Sequence, residues 1–125
     1  MIAPGRTIGI LGGGQLGRML ASAANQLGFD VHIFCPETDS PASRAARKAW
    51  TADYLDADAL RDFAKSCDVV TLEFENIPVE ATDIITACGV PLHPGPKALA
   101  ISQDRAEEKA FLNGIGIPTA PYEVI

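Results

Sequence analysis

Three glycines, Gly12, Gly14 and Gly17, stand in the spacing G-x-G-x-x-G, directly after the short apolar run Thr7 to Leu11. Glycine lets the chain turn tightly, lets a ligand approach the backbone, and lets a helix pack closely on a strand. A helix that opens at such a turn presents unpaired N–H groups and the positive end of its dipole, which suit an anion or a polar ligand. A turn that is merely compact is the plainer reading of the same glycines. The second stretch with chemistry in it is Glu73-Phe74-Glu75-Asn76-Ile77-Pro78. A carboxylate there can accept from ribose hydroxyls or hold an amine. At most one of Glu73 and Glu75 is expected to face the glycine turn. Solvated acids ahead of a helix N-terminus are the alternative.

These groups need a scaffold, and the hydrophobic pattern supplies one. Thr7 to Leu11 reads as a buried strand. From Gln15 to Leu27 the apolar positions Leu16, Met19, Leu20, Ala23, Ala24 and Leu27 form one helical stripe, ended by Gly28. Burial of Leu16, Leu20 and Leu27 is expected to contribute roughly 1.5–3 kcal/mol each. Asp30 to Cys35 is a second strand and Ala49 to Ala52 a weak third. Pro41 to Arg47 has room for one or two helical turns between them. Asp56 caps a helix carrying Leu60, Phe63, Ala64 and Cys67. Asp68 to Leu72 is the fourth strand, Pro78 starts a helix with Ala81, Ile84, Ile85 and Cys88 inward, and Val90 to His93 is a short fifth strand. Lys97 to Ser102 and a segment capped by Asp104 and running to Asn113 are helical. Ile117 to Pro121 is an extended linker, and Tyr122 to Ile125 begins a strand. The strand–helix alternation predicts an α/β fold with an open, mostly parallel sheet and helices on both faces. In such sheets ligands sit beyond the carboxyl ends of the strands, where the glycine turn with Gln15 and the Glu73 segment both fall.

The bulk numbers exclude several classes. The chain has 125 residues, 47% hydrophobic and 21% charged, which suits one soluble domain. A formal net charge of -6 argues against an extended nucleic-acid surface. No apolar run reaches the length of a membrane span, and the start lacks a signal pattern. Cys35, Cys67 and Cys88 lack close pairs and read as reduced core thiols of a cytoplasmic protein, with neither disulfide nor metal site. His32 and His93 are too isolated to build a zinc centre.

A nicotinamide-binding unit places a carboxylate at the end of its second strand for the ribose hydroxyls. Here that strand ends in Cys35-Pro36, and Glu37 lies beyond the proline in a loop. A phosphoribosyl compound or another nucleotide therefore fits better than NAD(P), whose oxidoreductases remain the competing class. A non-catalytic nucleotide-sensing module is a third.

Taken together, Gly12-Gly13-Gly14-Gln15-Leu16-Gly17-Arg18-Met19, Glu73-Phe74-Glu75-Asn76-Ile77-Pro78, Gln103-Asp104-Arg105 with Glu108-Lys109 and Phe111-Leu112, and Gly116-Ile117-Pro118-Thr119-Ala120-Pro121 resemble the N-terminal part of the 5-(carboxyamino)imidazole ribonucleotide synthase family, within the ATP-grasp superfamily. The resemblance spans nearly the whole chain. It implies a Rossmann-like pre-ATP-grasp domain over 1–118 that does not bind NAD, with 119–125 a linker into an ATP-grasp domain. It implies an enzyme, cytoplasmic and homodimeric, that uses ATP, Mg²⁺ and bicarbonate to carboxylate 5-aminoimidazole ribonucleotide through carboxyphosphate. It implies that Gly14, Gln15, Leu16, Glu73 and Asn76 line the ribonucleotide pocket and that Arg105 belongs to the ATP site. Arg105 carries a permanent charge suited to a phosphate chain, with pairing to a local carboxylate as the commoner fate of such a residue. No catalytic residue and no metal ligand is expected in this chain, which is expected to be a piece without the ATP-grasp core and inactive alone. The formate-dependent glycinamide ribonucleotide transformylases share the architecture but resemble it less, since Gln15 stands where they typically carry an acid.

Overall fold

The computed structural model describes residues 1–123; the end of the strand expected from Tyr122 falls on 124 and 125, outside the described residues, and Tyr122 and Glu123 belong to no element. Four strands form one parallel sheet: β1 (Thr7–Leu11), β2 (Asp30–Cys35), β3 (Lys48–Thr51) and β4 (Val69–Leu72), in the order β3-β2-β1-β4. Between and after them come α1 (Gln15–Gln26), α2 (Ala57–Lys65), α3 (Val79–Ala87), α4 (Pro96–Gln103) and α5 (Arg105–Gly114), with a single 3₁₀ turn at Ser43–Ala45. β1 is central and pairs along its length with β2, Ile10 opposite Ile33, and with β4, Ile10 opposite Thr71. The carboxyl ends of β1 and β4 are thus neighbours, Leu11 beside Leu72, and the segments that follow them must meet.

The core divides by sheet face. On one side Phe34, Leu60, Phe63, Val70, Ile77 and Ile85 pack with Leu92 and Leu99, joining α2, α3 and α4 to the sheet. Phe63 sits in an aromatic cluster with Phe34, tilted at 60°, and Trp50, edge to face at 79°, at centroid distances of 5.5 and 5.4 Å. On the other side Ile10, Val31, Ile33 and Cys35 meet Ala21, Ala24 and Ala42. Asp56 caps α2 as its spacing predicts, accepting from the Ala59 amide, and Asp104 caps α5 through the Ala106 and Glu107 amides.

Two expectations are corrected. Val90 to His93 is not a strand; only Leu92 bridges to Val70, so the sheet has four strands among the described residues. The Val70 amide donates to the Pro91 carbonyl and the His93 amide to the Val70 carbonyl, and the chain turns at Pro94 before a second pair forms. Of the apolar stripe expected of α1, only Ala24 is buried. The residues turned to the sheet are Gly17, Ala21 and Ala24. Leu16, Met19, Leu20 and Leu27 are 58%, 66%, 44% and 68% exposed. The reason is distance: Gly17 brings the helix so close to the strands that only glycine and alanine fit beneath it. The burial energy expected of the three leucines is therefore not realised within this chain.

Candidate functional site

β1 ends at Leu11 and the backbone enters the glycine turn, with Gly12 at φ 118°, a conformation side chains rarely adopt. The turn is tied down on both flanks. The Gly12 amide donates to the Phe34 carbonyl at 2.9 Å, and the Ala42 amide donates to the Gly13 carbonyl at 2.9 Å. Next door, β4 ends at Leu72, and the Glu73 amide donates to the Leu11 carbonyl at 3.0 Å, carrying the ladder one residue further. That bond aims the Glu73 side chain at the turn. Its Oε2 accepts from the Gly14 amide at 2.7 Å, at the N-terminus of α1.

The glycines are explained by this carboxylate. A Cβ built at Gly12 lies 2.8 Å from the Glu73 Cβ, and one at Gly14 or Gly17 meets the Glu73 carboxylate oxygens first. The three glycines of the motif clear space for a side chain of the same molecule. At Gly13 the neighbours are Cys35 and Ser40 instead.

Beside the turn lies an open cavity of about 340 Å³, lined by Gly13, Gly14, Ser40, Tyr54 and Glu73, with Glu37 and Phe74 at its sides. Ser40 is buried; its hydroxyl accepts from the Ser43 amide at 3.2 Å and stands 3.3 Å from the Cys35 thiol, which donates to it. Burial raises the Tyr54 phenol well above its ordinary value, with the Glu37 charge adding to the effect, so Tyr54 offers the cavity a neutral hydroxyl. Burial likewise pushes up the Cys35 thiol.

The expected site residues separate into three sets. Gly14 and Glu73 share the cavity just described. Gln15 is exposed at the first position of α1 and Leu16 is exposed beside it; neither lines that cavity. Asn76 and Arg105 lie together on a second cleft of about 360 Å³, with Glu75, Gln103 and Glu108. Glu73 and Glu75 therefore look into different clefts: residues two apart on extended chain would share a face, and the bend over 73–75 turns Glu75 away. Arg105 is 85% exposed and pairs with Glu108 at 2.5 Å on its own helix, which holds the guanidinium further up its already high range. One turn on, Lys109 lies over the Tyr122 ring at 4.7 Å.

Three contributors were not identified from sequence. Ser40 and Tyr54 sit in irregular segments where no periodicity marks an inward residue. Gln103 ends α4 with its side-chain amide donating to the Glu75 carbonyl at 2.8 Å and to the Ile77 carbonyl at 2.6 Å, and so holds the acidic segment in shape. A polar residue closing a helix opposite a strand exit is the signal that was available for it. Among the described residues no group of three or more His, Cys, Asp or Glu is placed to hold a metal ion, and no helix is long and apolar enough to cross a membrane.

Known proteins resemble this arrangement. The N5-carboxyaminoimidazole ribonucleotide synthase of Brucella melitensis is 49% identical over 124 residues, 99% of this chain and 34% of the relative. A solved ADP complex of an N5-carboxyaminoimidazole ribonucleotide synthetase superposes with a TM-score of 0.92 at 39% identity, covering 98% of this chain and 32% of its own. The Aspergillus clavatus N5-carboxyaminoimidazole synthase, solved with ADP and 5-aminoimidazole ribonucleotide, gives 0.79 at 34% identity over 94% of this chain and 31% of its own. The chain spans about 12% to 34% of the length of curated relatives it matches. A model of the ribonucleotide synthetase preATP-grasp domain matches residues 5–103, so that the parallel sheet, the glycine turn and the Glu73 segment all lie inside the match, and the chain belongs to that family.

Proposed function

We propose that this chain is the substrate-side domain of a purine-biosynthetic carbon–nitrogen ligase, one that carboxylates 5-aminoimidazole ribonucleotide with ATP and bicarbonate. The observation that carries the reading is the Glu73 carboxylate, fixed at Oε2 by the Gly14 amide at the carboxyl end of the sheet, on the wall of a cavity. Among the described residues no donor is bonded to its Oε1. That oxygen suits a ribose hydroxyl or an amine, both donors. Tyr54 and Ser40 add neutral hydroxyls, and Phe74 an apolar side against which a flat heterocycle can rest. Gln15 and Leu16, at the mouth of the turn, would close on the ligand from outside. The names and bound molecules of the relatives support this choice of substrate.

ATP would bring its terminal phosphoryl group to activate bicarbonate. On this chain Arg105 and Asn76 fit a nucleotide phosphate: Glu108 engages one guanidinium nitrogen, NH1, leaving donors of a permanent cation directed to solvent. Among the described residues no group of three or more His, Cys, Asp or Glu fits Mg²⁺. What the chain contributes is binding and orientation of the ribonucleotide, with its amine placed by Glu73.

The test is a pair of substitutions in a polypeptide joining this chain to an ATP-grasp core. Glu73→Ala should raise the KM for 5-aminoimidazole ribonucleotide by about tenfold or more, the loss of a charged hydrogen-bond acceptor, with the KM for ATP little changed. Arg105→Ala should do the reverse. Equal effects of both substitutions on both substrates would refute the assignment. Saturable NADH binding with none for the ribonucleotide would return the chain to the oxidoreductases.

A further inference from the structure

We propose that Glu73 is also a specificity-determining residue of another kind: its carboxylate occupies the glycine turn as a built-in anion and denies that turn to phosphate groups. A glycine turn opening a helix normally gathers anions because its amides are unpaired and its glycines let a pyrophosphate come close. Here one of those amides and the space between the glycines are taken from inside. The Gly14 amide is spent on Glu73 Oε2 at 2.7 Å, and the space a Cβ would fill at Gly12, Gly14 and Gly17 is filled by atoms of Glu73 at all three positions. The occupant is not a loosely placed surface acid. Its backbone is locked to Leu11 by a sheet-like bond at 3.0 Å, and it follows the four-residue strand β4 directly. An incoming phosphate would meet a negative charge where the turn otherwise offers donors, and no described side chain of opposite sign lines the cavity to offset it. The cavity beside the turn is thus polarised to accept hydrogen from a ligand's hydroxyl or amino edge, and a phosphate on the same ligand must be held elsewhere. The glycine spacing, read alone, has the opposite meaning. This inference rests on the turn geometry and stands whether or not the ribonucleotide is the substrate.

The test uses this chain with inorganic pyrophosphate as the probe, followed through the amide resonances of Gly13, Gly14 and Gln15. Wild type should show no saturable shift at these amides. Glu73→Gln, which keeps the size and removes the charge, and Glu73→Ala, which also empties the space, should each gain saturable binding, with affinity at least about tenfold above wild type and Glu73→Ala the tighter. Amide dispersion reports whether each variant is folded, and Glu73→Gln decides the matter if the alanine variant is not. Pyrophosphate binding by wild type at these amides, or no gain in a folded variant, would overturn the proposal. A ribonucleotide that still binds wild type while pyrophosphate does not would support it, and failure of ribonucleotide binding alone would bear only on the reading of the substrate.

Discussion

Replacing Gly14 by alanine tests whether one carboxylate explains the glycine. Gly14 has φ −77° and ψ −166°, open to any residue, so the substitution carries no backbone strain. The three nearest atoms to its added methyl all belong to the Glu73 carboxyl group, two of them closer than normal contact allows. Forcing a methyl into a filled site costs about 1–3 kcal/mol, and pushing Glu73 aside also breaks the 2.7 Å bond from the Gly14 amide, worth about 1.5–3 kcal/mol for a charged acceptor. The stiffer unfolded chain returns about 0.4–1 kcal/mol. Since displacement and overpacking are alternatives rather than additive terms, the net loss should be about 1–2 kcal/mol. The diagnostic lies in the double variant. With Glu73→Ala already present, the three atoms nearest the new methyl are gone, and Gly14→Ala should then cost only the preference of a helix N-cap for glycine over alanine, about 1 kcal/mol or less. Urea unfolding followed by fluorescence of Trp50, which meets Phe63 edge to face and donates to Asp62 at 2.8 Å, gives all four corners of the cycle. The expected coupling is about 1–2 kcal/mol. Costs that add within about 0.5 kcal/mol, as for independent sites, would refute the claim that the glycine exists for the carboxylate.

Gln103→Ala removes both bonds to the Glu75 and Ile77 carbonyls; at about 0.5–1.5 kcal/mol each it should lower stability by about 1–2 kcal/mol and raise hydrogen exchange in 74–78 above that in β1, and uniform protection would count against it. His32, whose Nδ1 donates to a Ser66 hydroxyl that itself donates to Phe63, is lowered from 6.5 by burial first and by Lys48 next. Since the unfolded state then binds its proton more readily, stability should fall as pH drops from above 6.5 through the folded value, and His32→Gln should flatten that slope in denaturation midpoints taken across this window. Burial pushes the Cys67 thiol up to about 11 from 9.0, so at pH 8 its alkylation by iodoacetamide should be on the order of 100-fold slower than that of an unperturbed thiol, and a mass-spectrometric rate within about tenfold of glutathione would contradict this.

Most of the fold was legible because local chemistry and burial agree. Thr7–Leu11 and Asp30–Cys35 are apolar runs closed by glycine and proline, and the strands have those bounds. Asp56 and Asp104 mark their helices by hydrogen-bonding chemistry that needs no tertiary partner. What failed is what depends on distance between elements. The stripe of α1 is amphipathic by spacing, and periodicity gives a face without saying which way it turns. Gly17, Ala21 and Ala24 lie on the same helix at equally regular spacing, and a helix held close by its glycine turns the small face inward. The fifth strand failed for a similar reason: the Val70 amide donates to the Pro91 carbonyl and the His93 amide to the Val70 carbonyl, but the chain turns at Pro94 before a second pair forms.

The site shows the same division more sharply. That the glycine turn and Glu73 share a sheet edge follows from strand order and could be reasoned beforehand; that Glu73 enters the turn depends on β4 lying next to β1, with one extra ladder bond at Glu73. Beyond that bond the chain leaves the strand in a bend over 73–75, which carries Glu75 to the other cleft beside Asn76 and Arg105, and this bend separates residues that a continued strand would have kept on one face. The glycine spacing predicts room beside the backbone and nothing about the sign of the charge that fills it. The positive helix end selects an anion, the neighbouring strand provides one covalently, and what remains for a ligand is the far side of that anion. A motif read as a phosphate cradle thus becomes, through the choice of residue at the end of an adjacent strand, a fixed acceptor for hydroxyls and amines.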